Sequence, residues 1–216
     1  VGRLRERLHV ATLGAGLVLG WANLLSGADL ALGAPAKPGA IAVRDLSGAL
    51  VRPLADQGQK LTVLFFVMHE CPVANSYAPE ISRIIASYAD KGVRGYVVYV
   101  ESDLPVEKAR QHARDFGYKT GVLLDPEHQL VRAAGARVSP EAAVLSPAGQ
   151  VLYRGRIDDR VADFGKRRVE PTRRDLRLAL DAILDGQPLP ARLTRAVGCY
   201  IPDVDPPQSE RKPDAR

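Results

Sequence analysis

The sequence predicts an α/β protein with a central mixed sheet, helices on both faces and an N-terminal β-hairpin extension. Two continuous apolar runs, at residues 61–68 and 93–100, have the character of strands that are buried on both faces. Segments with apolar residues at helical spacing alternate with these strands. Such alternation indicates helices that pack on either side of one sheet.

The first elements are a short hairpin and the strand that follows it. Residues 41–45 and 50–54 are predicted strands, and Ser47-Gly48 between them is a plausible turn. A helix is predicted between Pro72 and the turn at Asp90-Lys91-Gly92, where Gly92 stands in the usual cap position.

The remaining elements follow from the same patterns. Asp103 is a plausible cap for the second helix, and Asp125 before Pro126 is a plausible turn former. In chain order the predictions are a helix at 105–116, a strand at 120–124, a short helix at 128–134, a hairpin of strands 142–145 and 150–155, a polar loop at 156–170 and a final helix at 171–184.

Cys71 is the candidate reactive residue. It stands where the apolar strand 61–68 ends and a helix begins, and Pro72 suits the first helical position because its missing N–H would have no partner there. The first N–H groups of a helix are unpaired and carry partial positive charge. This position favours the thiolate, which is the nucleophilic form of cysteine.

Composition excludes several classes of partner and site. The net charge is +5, but acidic residues are interleaved with basic ones, and the dense basic stretch is limited to residues 166–168 with 173–174. Nucleic-acid binding is therefore not predicted, because it requires a basic stripe with aromatic residues. The two cysteines, Cys71 and Cys199, form neither a C-x-x-C motif nor a zinc-type pattern, so no metal or cofactor is predicted.

The N-terminal residues 1–36 have the pattern of a signal peptide or N-terminal anchor. Arg3, Arg5 and Arg7 precede an apolar stretch at 10–25, and small residues follow at 31–34. A cleaved signal, a retained anchor that associates with the membrane through residues 1–25, and an ordinary helix are all open. Export to the periplasm, the cell envelope or the medium would place both cysteines where disulfides persist.

A family resemblance appears on three motifs. They are C-P-x-A-N-x-Y-A-P-E-I at 71–81, Y-R-G-x-I-D-D-R at 153–160 and G-C-Y-I at 198–201. With the strand entering Cys71-Pro72 and the segment V-S-P-E-A at 138–142, they make the chain resemble the AhpC/TSA-like, or redoxin-domain, branch of the thioredoxin fold. The resemblance covers residues 40–186, which are followed by an extended tail at 187–201 and a Pro-rich, charged segment at 202–216 that is predicted to be disordered.

The chain departs from the better-known members of this fold at defined positions. Ala74 stands where thioredoxins have the second cysteine of C-x-x-C, and C-P-x-A-N replaces that motif. Leu64 and Met68 stand where peroxiredoxins carry a proline and a threonine or serine. Asn75 stands where copper chaperones of the fold have a second cysteine.

The resemblance implies a cis peptide at Pro140, in a loop that faces Cys71 and binds substrate through backbone groups of Ser139 and Pro140. Pro72, His69 and Asn75 complete the predicted substrate-binding residues. His69 is open to four roles: a hydrogen bond to the thiolate, proton donation, metal ligation or a solvent-facing loop position. Asn75 would contact the sulfur or bond to the backbone.

Two segments far from Cys71 in the sequence are also candidates for the functional site: a charged one and one that contains the second cysteine. The charged residues Asp158, Asp159 and Arg160 are either part of the site edge or a solvated loop. Cys199 lies 128 residues from Cys71, and a disulfide across that span would stabilise the protein by roughly 4–5 kcal/mol in the chain-entropy model. Cys199 is therefore a resolving thiol, half of a permanent bridge, or unpaired.

Three functional hypotheses follow. The first is an exported thiol-dependent oxidoreductase, peroxiredoxin-like or acting on disulfides, in which Cys71 attacks a protein disulfide or a small peroxide and Cys199 resolves the product. The second is a redox-inert binding module locked by a Cys71–Cys199 disulfide. The third is a copper-handling protein that uses His69 and Cys71.

Overall fold

A computed structural model describes residues 37–119 and 121–202. The predicted signal peptide or anchor at 1–36 and nearly all of the predicted disordered tail at 202–216 lie outside these ranges. None of the helices within them has the length and apolar character needed to span a bilayer.

The described chain holds eleven strands, four α-helices and one short 3-10 helix. The strands are β1 (Val43–Asp45), β2 (Leu50–Val51), β3 (Leu61–Val67), β4 (Val93–Tyr99), β5 (Val122–Leu124), β6 (Val138–Ser139), β7 (Glu141–Leu145), β8 (Val151–Gly155), β9 (Val161–Asp163), β10 (Lys166–Arg167) and β11 (Cys199–Tyr200). The helices are α1 (Pro72–Ala89), α2 (Val106–Asp115), α3 (Gln129–Ala134) and α4 (Asp175–Leu184), and the 3-10 helix is Pro38–Ala40.

Seven strands form one mixed sheet in the order β2-β1-β5-β4-β3-β7-β8. Strands β3, β4 and β5 are parallel, whereas β7, β8 and the hairpin β1–β2 run antiparallel to their neighbours. The predicted central mixed sheet and N-terminal hairpin extension are confirmed. Because β3 is an inner strand of the sheet, Cys71, which follows its carboxyl end, lies near the middle of the sheet and away from its outer strands.

The side chains of β3 alternate between two core clusters. Phe65 and the residues two positions before and after it pack in one cluster with α1, α2 and α4. Leu64 and Phe66 point to the opposite face and pack in a second cluster with α3. Every residue of β3 is buried. The continuous apolar run therefore reflects a strand covered on both faces, as the sequence predicted.

Three local predictions are wrong. The segment predicted as a polar loop at 156–170 contains the small hairpin β9–β10. Helix α2 begins at Val106 with Pro105 as its N-cap, so Asp103 is not the cap. Helix α4 begins at Asp175 rather than at residue 171.

Asp125 does form a turn, and it also accepts hydrogen bonds from three backbone N–H groups that open α3.

Candidate functional site

Cys71 is the N-cap residue of α1. Its backbone is extended, and its carbonyl accepts the first helical hydrogen bond from the Asn75 N–H at 2.9 Å. Pro72 occupies the first helical position and is exposed, whereas the Cys71 side chain is only 1 % exposed. The predicted strand–cysteine–helix junction is confirmed, and the sulfur lies at the positive end of the helix dipole.

The loop that faces Cys71 carries the cis peptide Ser139–Pro140. The Cys71 thiol donates to the carbonyl oxygen of Ser139 over 3.1 Å. The Ser139 hydroxyl oxygen accepts a hydrogen bond from the Met68 N–H at 2.8 Å, so this residue also holds the loop that precedes Cys71. The cis peptide and its position beside the cysteine are as the resemblance implied.

The C-terminal tail brings Cys199 to the same place. Strand β11 pairs antiparallel with β6, with Cys199 opposite Ser139. The Sγ atoms of Cys199 and Cys71 lie 2.7 Å apart, with no bond between them in the structure. A disulfide has a sulfur–sulfur distance of about 2.05 Å, so the pair needs only a small approach to form one. The structure thus joins two residues that stand 128 positions apart in the chain.

The tail can lie this close because residue 198 is glycine. Gly198 is buried, and a Cβ atom built on it would stand 2.0 Å from the carbonyl oxygen of Ser139. A side chain at this position would therefore overlap the backbone of the cis-proline loop. The glycine permits the close pairing of β11 with β6.

The two sulfurs differ in their electrostatic setting. Burial, a hydrogen bond with Cys71 and the charge of the Cys71 thiolate raise the pKa of the Cys199 thiol to about 12. The contact with Cys71 therefore disfavours a negative charge on the Cys199 sulfur. Cys71 is the sulfur that stands at the helix N-terminus, where the unpaired N–H groups favour an anion.

The side chains of Glu101 and Asn75 hold the loop between β3 and Cys71. Glu101 Oε1 accepts from the His69 backbone N–H at 2.6 Å and lies 2.8 Å from His69 Nδ1. The Asn75 side-chain N–H donates to the His69 carbonyl at 2.9 Å. His69 is 22 % exposed and its side chain bonds to Glu101, while the Asn75 amide bonds to backbone. The loop is therefore clamped by polar contacts on both sides of His69.

Three functional candidates in this region were missed by sequence reasoning: Glu101, His112 and Tyr99. His112 lies on the buried face of α2, with Nε2 2.9 Å from Asn75 Oδ1 and Nδ1 2.6 Å from the Tyr99 hydroxyl. Glu101 follows β4, and the carboxyl ends of parallel strands meet at one edge of a sheet. The signals that point to them are a histidine on an apolar helix face and an acid just after a buried strand.

Asp158 and Asp159 are buried and hold elements together rather than forming a solvated loop. Asp158 Oδ1 accepts from the Tyr77 hydroxyl of α1 at 2.6 Å. Asp159 Oδ1 accepts from the backbone N–H groups of Thr172 and Arg173, which lead into α4. Arg160 pairs with Asp158 at 3.2 Å. These contacts fix α1 and α4, so the interpretation of this segment as solvated is wrong.

No metal-binding cluster is seen in the part of the chain that the structure describes. Residues 37–119 and 121–202 contain no group of three or more His, Cys, Asp and Glu side chains that could hold a metal ion. No such group supports the copper hypothesis among these residues.

The Ser139 hydroxyl is expected to contribute to stability. A Ser139→Ala variant leaves the half-buried Met68 N–H without its partner, which costs about 1–3 kcal/mol of the free energy of unfolding. Urea denaturation measures the change. Ser87→Ala is the matched control, because that exposed hydroxyl only donates to a helical carbonyl, and a change within about 0.5 kcal/mol is expected. Equal stability of the two variants would contradict the assigned role.

Comparisons with known proteins agree with this fold. A family model described as Redoxin matches residues 37–166. An uncharacterized conserved protein from Geobacillus kaustophilus is 25% identical over 74% of this chain and 87% of its own, with a TM-score of 0.63. A hypothetical protein from Sinorhizobium meliloti is 22% identical over 74% and 89%, with a TM-score of 0.64. No curated protein matches the sequence significantly.

Proposed function

Because the chain belongs to the Redoxin family, we propose that it is a thiol-dependent oxidoreductase in which Cys71 is the nucleophile and Cys199 the resolving cysteine. One observation carries this proposal: the two sulfurs lie 2.7 Å apart, beside a cis-proline loop. The pair is already positioned for a bond, so its formation needs little movement of either element.

The chemistry on a disulfide takes two exchange steps. The Cys71 thiolate attacks one sulfur of the substrate, a mixed disulfide forms on Cys71, and the other substrate sulfur leaves as a thiolate. Cys199 loses its proton to that thiolate and attacks the Cys71 sulfur. The second substrate thiolate leaves, and the Cys71–Cys199 disulfide remains. The substrate has gained two electrons from the two cysteines, and an external dithiol returns them.

The chemistry on a hydroperoxide uses the same pair. The Cys71 thiolate attacks one peroxide oxygen, becomes a sulfenic acid and releases an alkoxide that takes up a proton. Cys199 then attacks the Cys71 sulfur, and water leaves as the disulfide forms. Leu64 and Met68 replace the proline and hydroxyl residue of the peroxiredoxin motif, so a disulfide is the favoured substrate.

The second candidate is a redox-inert binding module with a permanent Cys71–Cys199 bridge. The observation in its favour is that the Cys71 side chain is 1 % exposed. Cys199, in contrast, is half-buried. The two candidates therefore differ in whether the pair cycles between its reduced and oxidised forms under native conditions.

Thiol counting separates the candidates. We expect native protein treated with a mild excess of dithiothreitol to show two thiols that titrate with an aromatic disulfide reagent, and to lose both when oxidised glutathione is added. The matched sample is the same protein in denaturant, which reports the total number of thiols. Two thiols that appear only after denaturation would favour the binding module and contradict the oxidoreductase.

The proposal extends to compartment and partner. The arginines at 3, 5 and 7 and the apolar stretch that follows support export to an oxidising compartment. The partner there is a protein thiol or disulfide, or a small peroxide. A fusion of residues 1–36 to a reporter that is active only after export tests this, and a reporter that stays inactive contradicts it.

A further inference from the structure

A series of hydrogen bonds runs from the Tyr99 hydroxyl through His112 and Asn75 to the His69 carbonyl. Each donor in this series points toward the His69 carbonyl. A carbonyl oxygen only accepts, so the Asn75 atom that faces it is the amide nitrogen, and Oδ1 faces His112. His112 Nε2 therefore carries a hydrogen and donates to Asn75 Oδ1. His112 Nδ1 then accepts from the Tyr99 hydroxyl. The neutral Nε2–H tautomer of His112 satisfies every group in the series.

The surroundings of His112 favour that neutral form. The side chain is 8 % exposed and stacks on Phe116, with ring centroids 4.3 Å apart. Burial and the proximity of His69 lower the pKa of His112, and Asp115 on its own helix opposes them in part. The other ionisable groups that face it are the phenols of Tyr99 and Tyr118, each held neutral by burial, which raises the pKa of both.

We propose that His112 is a positioning residue for Cys71, which acts through Asn75 and the His69 carbonyl. That carbonyl lies two residues before Cys71, and the N–H of the same residue is held by Glu101. The hydrogen bonds that lead through His112 therefore hold one side of this loop. The loop in turn sets where the Cys71 sulfur meets Cys199. This inference rests on the proposed function only in treating the two cysteines as a redox pair.

The pair of tyrosines beside His112 provides a matched comparison. Both hydroxyls are buried, but that of Tyr99 donates to His112, whereas that of Tyr118 has no hydrogen-bond partner in the described residues. His112→Phe keeps a ring to stack on Phe116 and removes both nitrogens. We expect it to lower the equilibrium constant for Cys71–Cys199 disulfide formation against glutathione about tenfold, because a looser loop lowers the effective concentration of one thiol at the other.

The expected pattern across the variants is specific. Tyr99→Phe shifts the same equilibrium in the same direction by about threefold, Tyr118→Phe leaves it unchanged, and the double variant Tyr99→Phe/His112→Phe falls no further than His112→Phe. Melting temperatures are recorded in parallel, because a merely structural role lowers them without moving the glutathione equilibrium. An unchanged equilibrium in both His112→Phe and Tyr99→Phe would overturn the proposal.

Nuclear magnetic resonance gives an independent readout on the folded wild-type protein. Long-range proton–nitrogen spectra of the imidazole are expected to show the Nε2–H tautomer of His112 between about pH 7 and 8. The Nδ1–H tautomer or an imidazolium over that range would overturn the assignment. If wild-type protein forms no disulfide in any glutathione buffer, the proposed function fails instead. The positioning role is then decided by Cys71 alkylation in a Cys199→Ser background, which His112→Phe should accelerate about tenfold.

Discussion

A Cys71→Ser variant is expected to show no turnover with any disulfide or hydroperoxide substrate, a loss of at least about a thousandfold relative to wild type. A serine hydroxyl is not ionised at neutral pH and is a poor nucleophile toward sulfur. The side chain is nearly isosteric and can still donate to the Ser139 carbonyl, so the fold should be retained. Turnover is measured with a panel of small disulfides and hydroperoxides in the presence of an external dithiol.

The Cys199→Ser variant is the control that separates the two roles. It keeps the nucleophile, so when it meets substrate without the external dithiol it should stop with a mixed disulfide or a sulfenic acid on Cys71. Intact-mass spectrometry distinguishes that persistent adduct from the internal disulfide that wild type forms under the same conditions. Activity retained by Cys71→Ser would end the assignment of the nucleophile, and the absence of a persistent adduct in Cys199→Ser would end that of the resolving cysteine.

Replacing Gly198 with alanine is expected to separate the two sulfurs. The added Cβ atom would overlap the Ser139 carbonyl, which is backbone and cannot rotate away, so the tail has to shift off β6. Such overpacking typically costs about 1–3 kcal/mol. We expect the equilibrium constant for disulfide formation against glutathione to fall at least about tenfold, since 1.4 kcal/mol corresponds to that factor.

Gly39→Ala is the matched control for this substitution. A Cβ atom there would make only ordinary contacts, with the Leu54 carbonyl at 3.6 Å, and the site is exposed. The glutathione equilibrium of Gly39→Ala should equal that of wild type. A Gly198→Ala variant that oxidises as readily as the control would show that the pairing of β11 with β6 does not position Cys199.

Much of the fold was predictable because its signals are local. The apolar run of β3, the proline at the start of α1 and the turn between β1 and β2 each report on a few neighbouring residues. The place of Cys71 followed from the same signals. The small hairpin β9–β10 was missed because its strands are two and three residues long and largely polar.

The site itself was predictable only in part, since its partners come from distant segments. No residue pattern near Cys199 indicates that its strand pairs with β6. The contact of His112 with Asn75 joins residues 37 positions apart, through the packing of α2 against α1. The family resemblance supplied the cis-proline loop, but the clamp formed by Glu101 and Asn75 around His69 depends on tertiary packing.

The strand β11 lies beyond the last residue that the family model matches, which is 166. A fragment cut at the boundary of that match would therefore carry a single cysteine, and assays on it would describe a one-cysteine protein. Surveys that compare relatives only across the shared domain would miss half of the pair in the same way. Any inventory of related chains should extend to their C-terminal ends and look for a glycine followed by a cysteine.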